Sequence, residues 1–229
     1  NTPYTYTFNG VPNYTGVFTG ITAGTAYSWS ITDATTPEPS RITGSLPVTE
    51  PEILSASVNS ANVTCNGQDD GTITITGAAG GYGTYQYSIN GGASWQASGN
   101  YTDLAPGNYN IQIRDALHTD CVTILNPALV ITQPDILNAT ATSNSPRCSG
   151  SILNLTATAS GGTPGYLFQW TGPNSFSSAN QNPSINDVTQ SSSGTYILAV
   201  TDLNGCSFNT STIVIINTAP IFANCPVSP

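Results

Sequence analysis

The sequence predicts an all-β protein built from tandem antiparallel β-sandwich modules joined by short proline linkers. Three observations carry that expectation. The first is internal repetition at a period of 81 to 87 residues in a chain of 229, the mark of an array of small units rather than one large domain. Tyr4, Tyr85 and Tyr166 recur in order, as do Tyr6, Tyr87 and Phe168, and a Tyr-x5-Asp spacing falls at Tyr27/Asp33, Tyr109/Asp115 and Tyr196/Asp202. The second is alternation of apolar and hydroxyl or polar residues, clearest at Thr72 to Thr76 and Tyr109 to Arg114, which buries one face of a strand and wets the other. The third is turn chemistry between such runs: Asn90-Gly91-Gly92, Ala105 to Asn108, Gly161 to Gly165 and Asn204-Gly205.

In chain order, the period divides the sequence into a partial repeat at 1–50, complete repeats at 51–133 and 134–217, and the start of a further module at 218–229. The strings TEPEIL (Thr49 to Leu54) and TQPDIL (Thr132 to Leu137) mark the boundaries, and their prolines predict short, stiff linkers. The first repeat lacks the opening strands of the others. That leaves a sheet edge which either reflects where the chain starts or takes a strand from a neighbouring chain. Each complete repeat is expected to hold about seven short strands in two sheets. Within the third, Trp170 takes the place of a core tryptophan on a central strand, and Ser193 to Tyr196 reads as a tyrosine corner. Thr212 to Ile216 closes that repeat with β-branched residues. No segment carries an apolar stripe at helical spacing.

Only 7% of residues are charged, and the net charge is −9 with Arg41, Arg114 and Arg147 as the sole cations among Lys and Arg. Binding to a phosphate backbone needs clustered cations, so nucleic acid is excluded as a partner. No apolar run reaches the roughly 20 residues that cross a bilayer as a helix, and direct membrane insertion is not expected. Lysine is absent, which rules out Schiff-base chemistry and lysine–asparagine isopeptide staples.

Cys65 and Cys121 fall in the second repeat, and Cys148 and Cys206 in the third, with nearly equal separations. This spacing predicts one disulfide per module, Cys65–Cys121 and Cys148–Cys206, and an oxidising extracytoplasmic setting. Zinc is the alternative for four cysteines, but no CxxC spacing supports it. Cys225 has no mate in its own repeat and is expected to pair downstream.

The second repeat, with Val63 to Ile73, Tyr85 to Ser88, Leu104 to Tyr109, Arg114-Asp115-Ala116 and Cys121, resembles the repeat of SprB-type gliding-motility adhesins of Bacteroidetes. The third is similar to the immunoglobulin-like domains that accompany such repeats, through Ser160 to Pro164, Gln169 to Asn174 and Thr201 to Cys206. The string TAPIFANCPVSP resembles the opening of a hyalin-type repeat. The resemblance implies a large secreted surface protein, exported by the type IX route, that acts as adhesin or stalk and carries no catalytic site.

The inventory for chemistry is consistent with that implication. His118 is the single histidine and has no nucleophile elbow to serve. Glu38, Glu50 and Glu52 sit in proline-rich junctions that cannot hold a glycosidase pair at fixed separation. Calcium is the one metal to weigh, at Asp69, Asp70 and Asp115, although Asp beside Gly or at a strand end commonly bonds its own backbone. Tyr82, Trp95 and Tyr101 are the loop aromatics available to a ligand; packing is the alternative for the tryptophans.

Three function classes follow. The chain is a stalk segment contacting neighbouring modules of the same long chain, with filament or fibre assembly as an extension. Alternatively it binds surface glycans or other cells through loop aromatics, or it is the accessory region of a secreted enzyme.

Overall fold

The computed structural model describes residues 4–33 and 40–218. They form strands and turns throughout, with no α-helix among the described residues and one 3-10 turn at Gln190–Ser192. The chain separates into two compact units: Asn1–Ser55 with Ala78–Tyr85 and Arg114–Thr123, and Ala56–Gly77 with Gln86–Ile113 and Ile124–Pro229.

In the first unit, β1 (Tyr4–Phe8), β2 (Val11–Asn13), β3 (Gly24–Asp33) and β4 (Arg41–Val48) make one sheet in the order β2-β1-β3-β4. Its pairings are antiparallel, with Phe8 opposite Trp29 and Trp29 opposite Gly44. Gly44 leaves room for the Trp29 ring there. A Cβ on it would stand 2.6 Å from the Trp29 ring, so a larger residue would make the indole shift. Phe8 stacks on Tyr27 at 5.1 Å.

The second repeat runs through β5 (Ser55–Ala61), β6 (Gly71–Ala79), β7 (Tyr85–Ser88), β8 (Asn100–Leu104), β9 (Gly107–Asp115) and β10 (Val122–Ile131). These make two three-stranded sheets, β5-β6-β8 and β10-β9-β7. The alternation expected at Thr72 to Thr76 is realised, since Ile73 and Ile75 are buried while the threonines between them are not. Ile111 and Ile113 do the same on β9.

The third repeat contains β11 (Asn138–Ser143), β12 (Arg147–Cys148), β13 (Leu153–Ser160), β14 (Leu167–Gly172), β15 (Phe176–Ser178), β16 (Ser184–Ile185), β17 (Gly194–Thr201), β18 (Ser207–Val214) and β19 (Ile216–Asn217). Sheet β11-β13-β16 faces the four-stranded sheet β15-β14-β17-β18 across one core, and β12 pairs in parallel with β19. Leu153, Leu155, Trp170, Leu198, Val200 and Val214 are fully buried there. Burial of each such side chain contributes about 1.5–3 kcal/mol. Trp170 donates its indole N–H to the Gln181 carbonyl at 3.1 Å, which satisfies its one polar atom inside the core. Tyr196 donates to the Ser192 carbonyl at 3.1 Å, the expected corner.

The corner is general. Each tyrosine of the Tyr-x5-Asp landmark bonds backbone four or five residues upstream: Tyr27 to the Thr22 carbonyl at 2.9 Å and Tyr109 to the Ala105 carbonyl at 2.8 Å. The periodic tyrosines therefore recur because each one pins a strand start to the loop before it.

Candidate functional site

Two constructions stand out in the complete modules, one that recurs in each and one that joins them. The first ties each boundary string to its own module. Asp115 and Asp202, at the ends of β9 and β17, are buried carboxylates. Asp115 accepts hydrogen bonds from the N–H groups of Tyr82 at 2.7 Å, Leu117 at 2.9 Å and His118 at 3.0 Å. Asp202 accepts from Thr163 at 2.8 Å, Cys206 at 2.9 Å and Asn204 at 3.0 Å. Burial alone raises both carboxyl pKa values, but the converging N–H donors outweigh it and hold each below the ordinary aspartate value.

The glycine pair before each acceptor loop completes this node. Gly81 N–H donates to the Glu52 carbonyl at 2.8 Å and Gly162 N–H to the Asp135 carbonyl at 2.9 Å. Tyr85 and Tyr166 donate to the carbonyls of Gly80 and Gly161 at 2.9 and 2.7 Å. Gly80 and Gly161 have φ of +81° and +71°, and a Cβ on either would fall 2.2 Å from the Ile53 carbonyl oxygen or 2.0 Å from that of Ile136. Only glycine fits. The Pro-Glu-Ile and Pro-Asp-Ile strings are thus fastened onto the modules they introduce. Sequence reasoning missed this role; the signal was that glycine pair and boundary string recur together at nearly one period.

The second construction joins the second and third repeats. Cys65 is bonded to Cys206, with a Cα–Cα distance of 5.8 Å and a sequence separation of 141 residues. Around it, Asn66 donates to the Pro134 carbonyl at 2.9 Å, Gly67 N–H to Gln133 Oε1 at 2.8 Å, and Asn204 Nδ2 to the Thr64 carbonyl at 3.0 Å. A groove of about 500 Å³ runs beside the disulfide, walled by Asn66, Gln68, Ile136 and Phe208.

This overturns the expected pairs Cys65–Cys121 and Cys148–Cys206. Cys148 is disulfide-bonded, but not to Cys206, and Cys121 is a free, half-buried thiol. Strand direction is the cause. Cys206 immediately precedes β18, whereas Cys148 lies opposite Asn217, past the far end of that strand. The eight residues of β18 span roughly 27 Å at about 3.4 Å each, against a Cα limit near 7 Å for a disulfide. The second repeat is laid out alike: Cys121 precedes β10, and Val63, two residues before Cys65, bonds the Thr132 carbonyl just past the end of β10. The equal Cys separations reflect equal modules, not bonded pairs. The expectation for Cys225 lies outside the described residues.

The calcium set is not assembled either. Among the described residues no three of His, Cys, Asp and Glu stand close enough to hold a metal ion. Asp70 takes the N–H and hydroxyl of Thr64, which lower its pKa, and Asp115 is filled by its three N–H donors. Asp69 is exposed.

Of the loop aromatics, Tyr82 is exposed and lies against His118 with ring centroids 3.8 Å apart. Trp95 is half-buried with its N–H on the Gly92 carbonyl at 2.9 Å. Tyr101 is half-buried, donates to the Tyr87 carbonyl at 2.8 Å, and has its pKa pushed up to about 12 by burial.

Fold and junction define a tandem β-sandwich repeat protein with a covalent tie between consecutive repeats. Residues 57–94 match the SprB repeat family, within the repeat whose strings carry that resemblance. Among solved structures the chain is similar to the three N-terminal domains of the Highly Immunogenic Outer Capsid protein (Hoc) of bacteriophage RB49, at 16% identity and a TM-score of 0.42 over 72% of this chain. It spans 59% of that structure. It is also similar to DIP-gamma IG1+IG2, at 11% identity and a TM-score of 0.40, covering 74% of this chain and 98% of that one. A third likeness is to the N-terminal four Ig domains of Dscam1 isoform 9.44, at 15% identity and a TM-score of 0.33, covering 95% and 65%. At such identities and scores these likenesses carry no functional argument. No curated protein matches.

Proposed function

We propose that this chain is a non-catalytic structural segment of a secreted cell-surface repeat protein, whose repeats are cross-linked into a semi-rigid stalk that serves adhesion or gliding. The Cys65–Cys206 bond between consecutive repeats is the observation that carries this reading. A disulfide between repeats resists their separation under pull, whereas one inside each repeat leaves the linker free to swing. The SprB match at residues 57–94 and a disulfide chemistry suited to oxidising compartments support a place at the cell exterior. Its partners are neighbouring repeats of the same chain, with fibre assembly as the extension.

Single-molecule stretching tests the stalk. The Cys65–Cys206 bond, at a sequence separation of 141, holds that stretch out of the extended contour, so opening it should release roughly 50 nm at about 3.5 Å per residue. Equal contour lengths with and without reductant would sink the proposal. A glycan- or cell-binding reading rests on the exposed Tyr82 against His118. A glycan array on which the chain and its Tyr82→Ala variant bind alike removes it.

A further inference from the structure

Deepening the stalk reading, on which it rests, we infer that Cys121 is the receiving half of a second inter-repeat disulfide, whose other half is the opening-turn cysteine of the repeat that precedes it in the chain. The four cysteines of the complete repeats fall into two equivalent kinds. Cys65 and Cys148 open a turn, with Gln68 N–H and Ser151 N–H each donating to the cysteine carbonyl at 3.1 Å. Gly67 and Gly150, each two residues on, have φ of +79° and +82°. Both cysteines are disulfide-bonded.

Cys121 and Cys206 are the other kind. Each closes a hairpin by offering its carbonyl to the N–H of the buried aspartate, Cys121 to Asp115 at 3.1 Å and Cys206 to Asp202 at 2.9 Å. Each then leads directly into the last long strand of its repeat, and both are half-buried. Cys206 is bonded to the opening cysteine of the repeat before it. Its equivalent, Cys121, is free, and no cysteine precedes Cys65 in the sequence. The bonded state of Cys206 is thus an internal precedent that states what Cys121 binds: a cysteine thiol on a turn of the Cys-Asn-Gly kind, borne by a repeat joined ahead of it.

The hairpins differ in length, with five residues between Asp115 and Cys121 against three between Asp202 and Cys206, and in one contact. Asn204, which reaches the Thr64 carbonyl, is replaced in the second repeat by Leu117, which is 74% exposed. The upstream junction therefore keeps the sulfur bridge but exchanges an amide bond for an apolar contact. Formation joins two thiols into one disulfide, and the two electrons and two protons pass to an oxidised dithiol carrier, whose own disulfide is reduced.

The test inserts a second copy of residues 51–133 ahead of Pro51 in the full chain, with Cys121→Ser in the inserted copy. In the unmodified chain, maleimide labels Cys121. In the extended chain that labelling should be lost, non-reducing peptide maps should show resident Cys121 joined to inserted Cys65, and Cys65→Ser in the inserted copy should restore labelling. Persistent labelling, or Cys121 joined to its own repeat's Cys65 or to another chain's Cys121, overturns the inference. The same map of the protein as secreted by its own cells reads the question without the insertion: Cys121 bridged to a preceding repeat upholds it, and alkylatable Cys121 overturns it. Absence of Cys65–Cys206 from the unmodified chain would instead overturn the stalk reading, so the two failures are told apart.

Discussion

The Tyr166 hydroxyl donates to the Gly161 carbonyl at 2.7 Å, and the same bond joins Tyr85 to Gly80 at 2.9 Å one period earlier. Each bond presses a glycine peptide against the boundary string, so close that a methyl group meets the Ile136 or Ile53 carbonyl oxygen. Gly161→Ala should cost about 1–3 kcal/mol, from a left-handed backbone and a forced shift of residues 135–137. Urea unfolding measures it; a midpoint unchanged from the parent would mean that the string is not held there.

Loss of the inter-repeat bond acts mainly on the unfolded chain. In the loop-entropy treatment a closed loop of this length is worth about 5 kcal/mol. The pair Cys65→Ala and Cys206→Ala should therefore unfold at markedly lower denaturant than the parent, and with both chains fully reduced their midpoints should come together.

Acid should loosen the aspartate nodes. Asp115 and Asp202 have folded pKa values below the ordinary one, so their contribution is present above the unfolded value of about 3.9 and is lost as pH falls through the lower folded values. Chemical denaturation from pH 6 down to 2 should show stability declining below about pH 4. In Asp202→Asn the third repeat should start less stable and show a shallower decline. A parent whose stability is level across that range contradicts the assignment.

Tyr101 should titrate late. Its pKa lies near 12 because burial disfavours the phenolate, so the unfolded chain, with tyrosine near 10, holds its proton less tightly than the folded one. Stability from this group is full below about pH 10 and is lost as pH rises toward 12. Ultraviolet titration of the parent against Tyr101→Phe should reveal one tyrosine missing from the main wave near pH 10.

The core of the third repeat should be unforgiving at Trp170, which is wholly buried. Trp170→Ala is expected to cost about 3–5 kcal/mol through lost transfer energy and the cavity left behind. Near-ultraviolet circular dichroism and a melting curve would register it.

Much of this architecture was legible in the sequence because it follows from local rules. Alternation placed Ile73, Ile75, Ile111 and Ile113 inside, and Trp170 and Tyr196 stood where a sandwich needs them. The disulfide was not legible. Spacing locates Cys65, Cys121, Cys148 and Cys206 along the chain, but the end of a strand on which each lies depends on strand direction, and the choice between its own and the next repeat depends on how repeats meet. The recurring aspartates left calcium and backbone bonding both open, because a carboxylate that gathers three backbone N–H groups looks the same in sequence as one that gathers a cation.

The Cys65–Cys206 bond also changes what a protease can achieve. A single cut anywhere between those two residues leaves both products attached through sulfur, so severing the chain takes two cuts or a cut together with a reductant. With Cys121 tied to the preceding repeat as well, successive loops would overlap, and every peptide bond from Cys65 to Cys121 would lie inside two of them. Such a chain would survive nicking as a rope survives a broken strand.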